Sequence, residues 1–278
     1  MKTLFTTTFM FSISVLIAKH TFTTLEKATK SNLVSFKIRG TGSYSGNCLK
    51  LNLINKTKDS LFIILESGRR LDSKNNDEQD ILITKEQKFI VSGNQTKEFT
   101  INGYCCQANN HAPEKNANFN IGKMADSNLT ALSQFCNKNT FNESDIQSSV
   151  WCVSNKRPIA SIPAINEKLR VFVANITKQE LPWYQLDYKK GTSISYIPTK
   201  PEKIFGYINY KIETDDSFKI ELKDVDGNLI QTYANKKMVK KGEYDIWFDL
   251  QVSHYPKGKF YIHIFNGKKL VSKKEFII

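Results

Sequence analysis

After residue 18 the chain contains no apolar run long enough to cross a bilayer as a helix, which excludes an internal helical anchor. Paired cysteine motifs of the Cys-x2-Cys type are also missing. Cys105, Cys106, His111, Cys136 and Cys152 are soft ligands, but without that spacing they do not read as a zinc site, and no metal is expected. The loop Gly40-Thr-Gly42-Ser-Tyr-Ser-Gly46 has no Gly-Lys-Ser/Thr after it and no helix pattern opening there, so it is a wide turn, not a phosphate cradle. Histidine is scarce, at 4. His111 lies six residues beyond Cys105 in a polar loop, with no third side chain indicated to orient it, which leaves a Cys-His protease without its parts. His254 and His263 fall in predicted strands, and Asp77-Glu78 and Asp215-Asp216 fall in turns, where acidic residues are expected anyway. Nothing here implies a cofactor or a base–nucleophile pair, and the chain is read as a non-enzyme.

What is present is charge and an address. Formal net charge is +13, but the lysines are spread along the chain and aromatic residues do not alternate with them. A stacking platform for bases needs that alternation, so nucleic acid is not an expected partner. At the N-terminus Lys2 precedes an apolar run from Leu4 to Ala18. A lysine, a short apolar run and a small residue describe a secretory signal peptide over residues 1–18. The expected location is therefore secreted or at the cell surface.

Periodicity places most of the chain in strands. Asn32–Ile38, Cys48–Asn55, Leu61–Leu65, Ile81–Ile83, Gln87–Val91 and Lys97–Asn102 alternate or run apolar between turn signals, and Leu169–Ile176 returns to strand. Between them Ile121–Asn137 and Glu143–Ser154 carry helical spacing, with Asp126-Ser127 as a cap and Pro158 as a stop. The expected fold is mainly β: an antiparallel immunoglobulin-like β-sandwich over 32–178 with an inserted helical hairpin (about 121–154). A linker (179–203), with one short strand at Ser193–Ile197, and a small immunoglobulin-like β-sandwich over 204–278 follow. Asn266-Gly267 between alternating strands is the strongest hairpin signal of that last module.

Four of the five cysteines lie between Phe99 and Asn155. In an exported chain they point to disulfides with one thiol left over. The candidates are Cys136, Cys152 and Cys48, the last within reach of Cys105 or Cys106 if their strands are neighbours; connectivity does not follow from spacing. A bridge between Cys136 and Cys152 would contribute about 3 kcal/mol by closing a short loop.

Two resemblances bear on function. Leu222-Lys-Asp-Val-Asp-Gly-Asn-Leu229, Gly242-Glu-Tyr-Asp-Ile-Trp247-Phe-Asp-Leu250 and Pro256-Lys-Gly258-Lys-Phe260-Tyr261-Ile262, followed by a basic terminal strand, resemble the type IX secretion C-terminal sorting domain of Bacteroidota. That resemblance implies an outer-membrane secretion machinery as partner through residues 204–278. Tyr104-Cys105 and Gln147-Ser-Ser-Val150-Trp151 are similar to the two halves of the motif of bacterial thioester surface domains, with Ser149 where alanine is usual. It implies a thioester between Cys105 or Cys106 and Gln147 that captures a nucleophile of a host partner. Trp151, Tyr104 and His111 are the candidates for a binding face, toward an unknown surface protein or glycan. The readings carried forward are an exported non-catalytic binding or adhesion protein, a covalent thioester adhesin, and a small metal- or thiol-dependent enzyme.

Overall fold

The computed structural model describes residues 21–108, 110–188 and 200–278. The signal-peptide reading (1–18) and the short strand expected at Ser193–Ile197 both lie outside those residues. The described chain is mainly β.

Ahead of the first expected strand, β1 (Thr23–Thr24) and the short helix α1 (Leu25–Lys30) form. The Thr24 side chain accepts from the Lys27 amide, and Leu25 and Ala28 turn inward. Then come β2 (Val34–Gly40), β3 (Ser45–Asn55), β4 (Leu61–Leu65), β5 (Arg69–Ser73), β6 (Ile81–Leu82), β7 (Gln87–Val91), β8 (Thr96–Cys105) and β9 (Asn118–Met124). Strands β2-β3-β8-β6-β5-β9 close into a six-stranded barrel, and β1-β4-β7 form a separate three-stranded sheet. The open sandwich expected for this region is therefore a barrel with a small sheet packed on it. Closure depends on β5 and β9. The residues of β9 from Ile121 overlap the helix expected over Ile121–Asn137, and the β5–β9 register pairs Leu71 with Ile121 and Ser73 with Phe119. Leu49, Leu51, Leu53, Leu71, Ile81 and Ile101 fill the interior at zero exposure. Full burial of side chains of this size contributes roughly 1.5–3 kcal/mol each before chain entropy is counted.

Three helices follow instead of a hairpin of two. Helix α2 (Ser127–Lys138) is capped by Asp126, whose carboxylate accepts from the Leu129 amide at 2.9 Å. Helix α3 (Glu143–Ser154) has the bounds its spacing predicts, with Glu143 and Asp145 in the first turn at the positive end of the dipole. The strand expected at Leu169–Ile176 is instead helix α4 (Glu167–Thr177). Its β-branched residues suit a strand locally, but Leu169 and Val173, four apart, are both fully buried against the other helices. Tertiary packing overrides local propensity here.

The C-terminal module is a two-layer sandwich. Strands β10 (Tyr184–Asp187), β11 (Lys203–Ile212) and β14 (Gly242–Gln251) form one sheet. The other has the order β13 (Leu229–Val239), β12 (Asp216–Lys223), β15 (Lys259–Asn266) and β16 (Lys269–Ile277). Ile204, Ile208, Phe218, Ile220, Leu222, Ile262 and Ile264 meet between the layers. Its first strand lies in what reads as linker, so the module begins near Trp183. Tyr184 anchors it: its hydroxyl accepts from the Ile277 amide at 3.0 Å. Arg170 of α4 donates to the Tyr184 carbonyl at 2.7 Å and the Pro182 carbonyl at 3.1 Å, joining helices to sandwich.

Candidate functional site

Successive residues of a strand face opposite sides, and at the end of β8 this sorts the cysteines. Tyr104 and Cys106 turn toward the helices, in one cluster with Leu132, Cys136, Val150 and Cys152. Cys105 faces the barrel interior, in the cluster that holds Cys48, Leu49 and Trp151. The two vicinal cysteines therefore do not share an environment.

The β3–β8 ladder ends at the pair Ser45–Tyr104. One residue further on, where a neighbouring strand would continue, the side chain of Gln147 takes its place. Its Oε1 accepts from the Cys105 amide at 3.0 Å, and its Nε2 donates to the Cys105 carbonyl at 2.9 Å. The Cys105 amide is shared with the Tyr44 carbonyl at 3.1 Å. A carboxamide has the same donor–acceptor pair as a peptide unit, so it completes the strand's hydrogen bonds. Gln147 is 2% exposed. Gly46, at φ +67°, lies against the carboxylate of Glu143 in the first turn of α3, the helix that carries Gln147.

Water is kept out from the same helix. Trp151, one turn after Gln147, shares its face of α3. Its ring stacks on Tyr44 at 6.1 Å between centres, and the Arg157 guanidinium lies over the Trp151 ring, 4.9 Å from its centre. Burial pushes the Cys105 thiol well above its ordinary value of 9.0, with the neighbouring Cys48 adding to the rise. Cys48, Cys106 and Cys136 are pushed up to about 12 and Cys152 to about 11, burial being the main cause each time. These are protonated thiols, inert toward bulk reagents.

The five cysteines are free and buried. The expected bridges among Cys136, Cys152 and Cys48 are thus not formed. Cys136 and Cys152 pack as small apolar side chains among the helices, and the Cys152 thiol lies 3.4 Å from the Pro158 carbonyl and 3.3 Å from the Ser161 hydroxyl. The expected binding face is also corrected. Tyr104 and Trp151 are 2% and 8% exposed, built into the core; only His111 stands at the surface. His111 bridges to Glu78 through its backbone, away from Cys105's environment. Among the described residues no three His, Cys, Asp or Glu side chains converge as metal ligands, and no helix is long and apolar enough to cross a membrane.

Sequence reasoning missed two sets of side chains. Arg69, buried under α1, donates to Glu66, to the Gly122 carbonyl at 3.0 Å and to Glu26 at 2.9 Å. Phe205, Tyr207 and Trp247 gather on the outer face of the C-terminal sandwich. The strict alternation of β14 could have revealed the latter, since it sets Trp247 out of phase with the inward Ile246, Phe248 and Leu250.

No family model matches the chain, and no curated protein does. Among solved structures, a β-glucosidase from Kluyveromyces marxianus in complex with glucose is similar with 8% sequence identity and a TM-score of 0.21. That overlap covers 83% of this chain and 44% of the other, so the chain spans less than half the length of that protein. A likeness at this level carries no inference about fold or activity.

Proposed function

We propose that this is an exported, non-catalytic cell-surface or secreted binding protein whose N-terminal module attaches to its partner covalently, through a thioester between Cys105 and Gln147. The observation that carries the reading is the Gln147 carboxamide clasped on the Cys105 peptide in a buried site. Two residues 42 positions apart are brought into contact on the side of the barrel that Trp151 and Tyr44 cover. Cys106, turned toward the helices, is the weaker candidate for the thiol. In forming the thioester, the Cys105 sulfur bonds to the Gln147 carbonyl carbon, the C–N bond breaks, and the thiol proton leaves with the nitrogen as ammonia. No oxidant or reductant is needed. An amine of the partner then displaces the thiol, giving an amide and a free Cys105. The dry surroundings slow hydrolysis of the thioester.

Delivery belongs to the same proposal. Residues 204–278 act as a type IX sorting-type domain of immunoglobulin-like build, engaging the outer-membrane secretion machinery. Its support is the sandwich core that these residues form with β10, together with the motif resemblance. Because β10 belongs to that sandwich, the portable unit starts at residue 180. Fused behind a signal peptide and a reporter in a host with that machinery, residues 180–278 are expected to carry the reporter to the cell surface. Retention in the periplasm would remove the sorting role.

A further inference from the structure

On the outer face of the sheet β10-β11-β14, Tyr207 stands opposite Trp247 and Phe205 opposite Asp249. Ring centres are 4.9 Å apart for Tyr207–Trp247 and 5.4 Å for Phe205–Trp247. Tyr207 is 64% exposed and Trp247 48%. These rings contribute nothing to the sandwich core, which lies on the opposite face of the same strands. The Tyr207–Trp247 pair supports the sheet as a cross-strand pair, but grouped with Phe205 it also leaves ring faces open to water in mid-sheet. The remaining outward positions of β11 and β14 are charged or amide side chains, and none is aliphatic.

We propose that this aromatic platform binds a carbohydrate chain. A pyranose presents a flat C–H face and a rim of hydroxyls. The rings of Phe205, Tyr207 and Trp247 would lie against the faces, while Asn209, Asp245 and Gln251 beside them take the hydroxyls. Carboxylates accept from hydroxyls, and amides both donate and accept. Area argues against a protein partner. Two aromatic side chains of about 150–250 Å² each, roughly half exposed, with the more covered Phe205 beside them, offer on the order of 200–300 Å² of ring surface, against ~800 Å² per partner in a stable protein interface. A ligand one sugar wide fits that area. The site is on the opposite module from Cys105 and does not rest on the thioester or on export.

The test is titration of the purified full chain with cellohexaose, chitohexaose and laminarihexaose, followed by calorimetry. Saturable binding to at least one is expected. Trp247→Ala should weaken it about tenfold or more, as loss of a stacking ring does. Tyr207→Ala, at a position so exposed that the fold does not depend on it, should weaken it severalfold. Tyr261→Ala, on the other sheet of the sandwich, should leave it unchanged. Absence of binding to all three sugars, or binding that survives both platform variants, would overturn the proposal. So would a concentration-dependent dimer that Trp247→Ala dissolves, since that would assign the face to a second copy of the chain.

Discussion

In a Cys105→Ala background, where no thioester can form, replacing Gln147 by alanine is expected to destabilise the N-terminal module by about 3 kcal/mol. Two hydrogen bonds at 2.9 and 3.0 Å are lost together. The Cys105 amide keeps the Tyr44 carbonyl as a partner, but the Cys105 carbonyl loses its bond to Gln147 inside the protein. Each net hydrogen bond is worth about 1 kcal/mol, and an unsatisfied buried carbonyl adds about 1–3 kcal/mol. For a module of this size that corresponds to a fall in Tm on the order of 10 °C. Thermal unfolding of the single and double variants measures it. A loss below about 1 kcal/mol would mean that the Gln147 clasp is not holding the end of β8. The comparison also separates the amide's structural part from its chemical one, because Cys105→Ala alone leaves the clasp intact.

Arg69→Ala is expected to cost about 3 kcal/mol, by removing a guanidinium that ties α1, the β4–β5 turn and β9 together. It is 5% exposed and donates to Glu66, Glu26 and the Gly122 carbonyl. Its carboxylate partners are partly open to water and can rehydrate, so the cost falls at the low end for a broken buried pair. Acid should narrow the gap between wild type and variant. The hydrogen bond from Lys30, and then the charge of Arg69, hold the Glu26 carboxyl below its ordinary 4.5. A depressed carboxyl stabilises the fold above its unfolded pKa and loses that effect as pH falls through the folded one. The difference should therefore shrink as pH falls below that ordinary value. Denaturant melts at neutral and acid pH check both parts; an unchanged gap in acid would remove Glu26 from the clasp.

How far the sequence reached depended on how local each feature is. Helix α3 was legible to the residue because Ile146, Val150 and Val153 repeat at helical spacing and Pro158 ends the segment. The six strands β11 to β16 were legible because alternation and turn residues such as Asn266-Gly267 act within a few positions. Helix α4 was not, since Leu169–Ile176 fits both periods over so short a span, and only its packing against α2 and α3 decides between them. Barrel closure was out of reach for a similar reason: β5 and β9 are separated by more than forty residues, and neither has a strong pattern of its own. The cysteines were read through the compartment expected for the chain, which favours bridges, whereas the fold uses them as small apolar side chains. Tyr104 and Trp151 read as a binding face in sequence because aromatics mark both interfaces and cores, and one sequence does not separate the two. The pairing of Cys105 with Gln147 came from motif resemblance alone. What the structure adds is the reason the two meet: β3 stops one residue short, and a side-chain amide stands where its next peptide would be.

The most direct test is the intact mass of the purified chain, taken beside its Cys105→Ala and Gln147→Ala variants. The account predicts a wild-type mass one ammonia lower than that calculated for the chain after signal-peptide removal, with both variants at their full calculated masses and methylamine restoring a free thiol while adding to Gln147. A wild-type chain at its full mass, with five thiols titrating after denaturation, would contradict it.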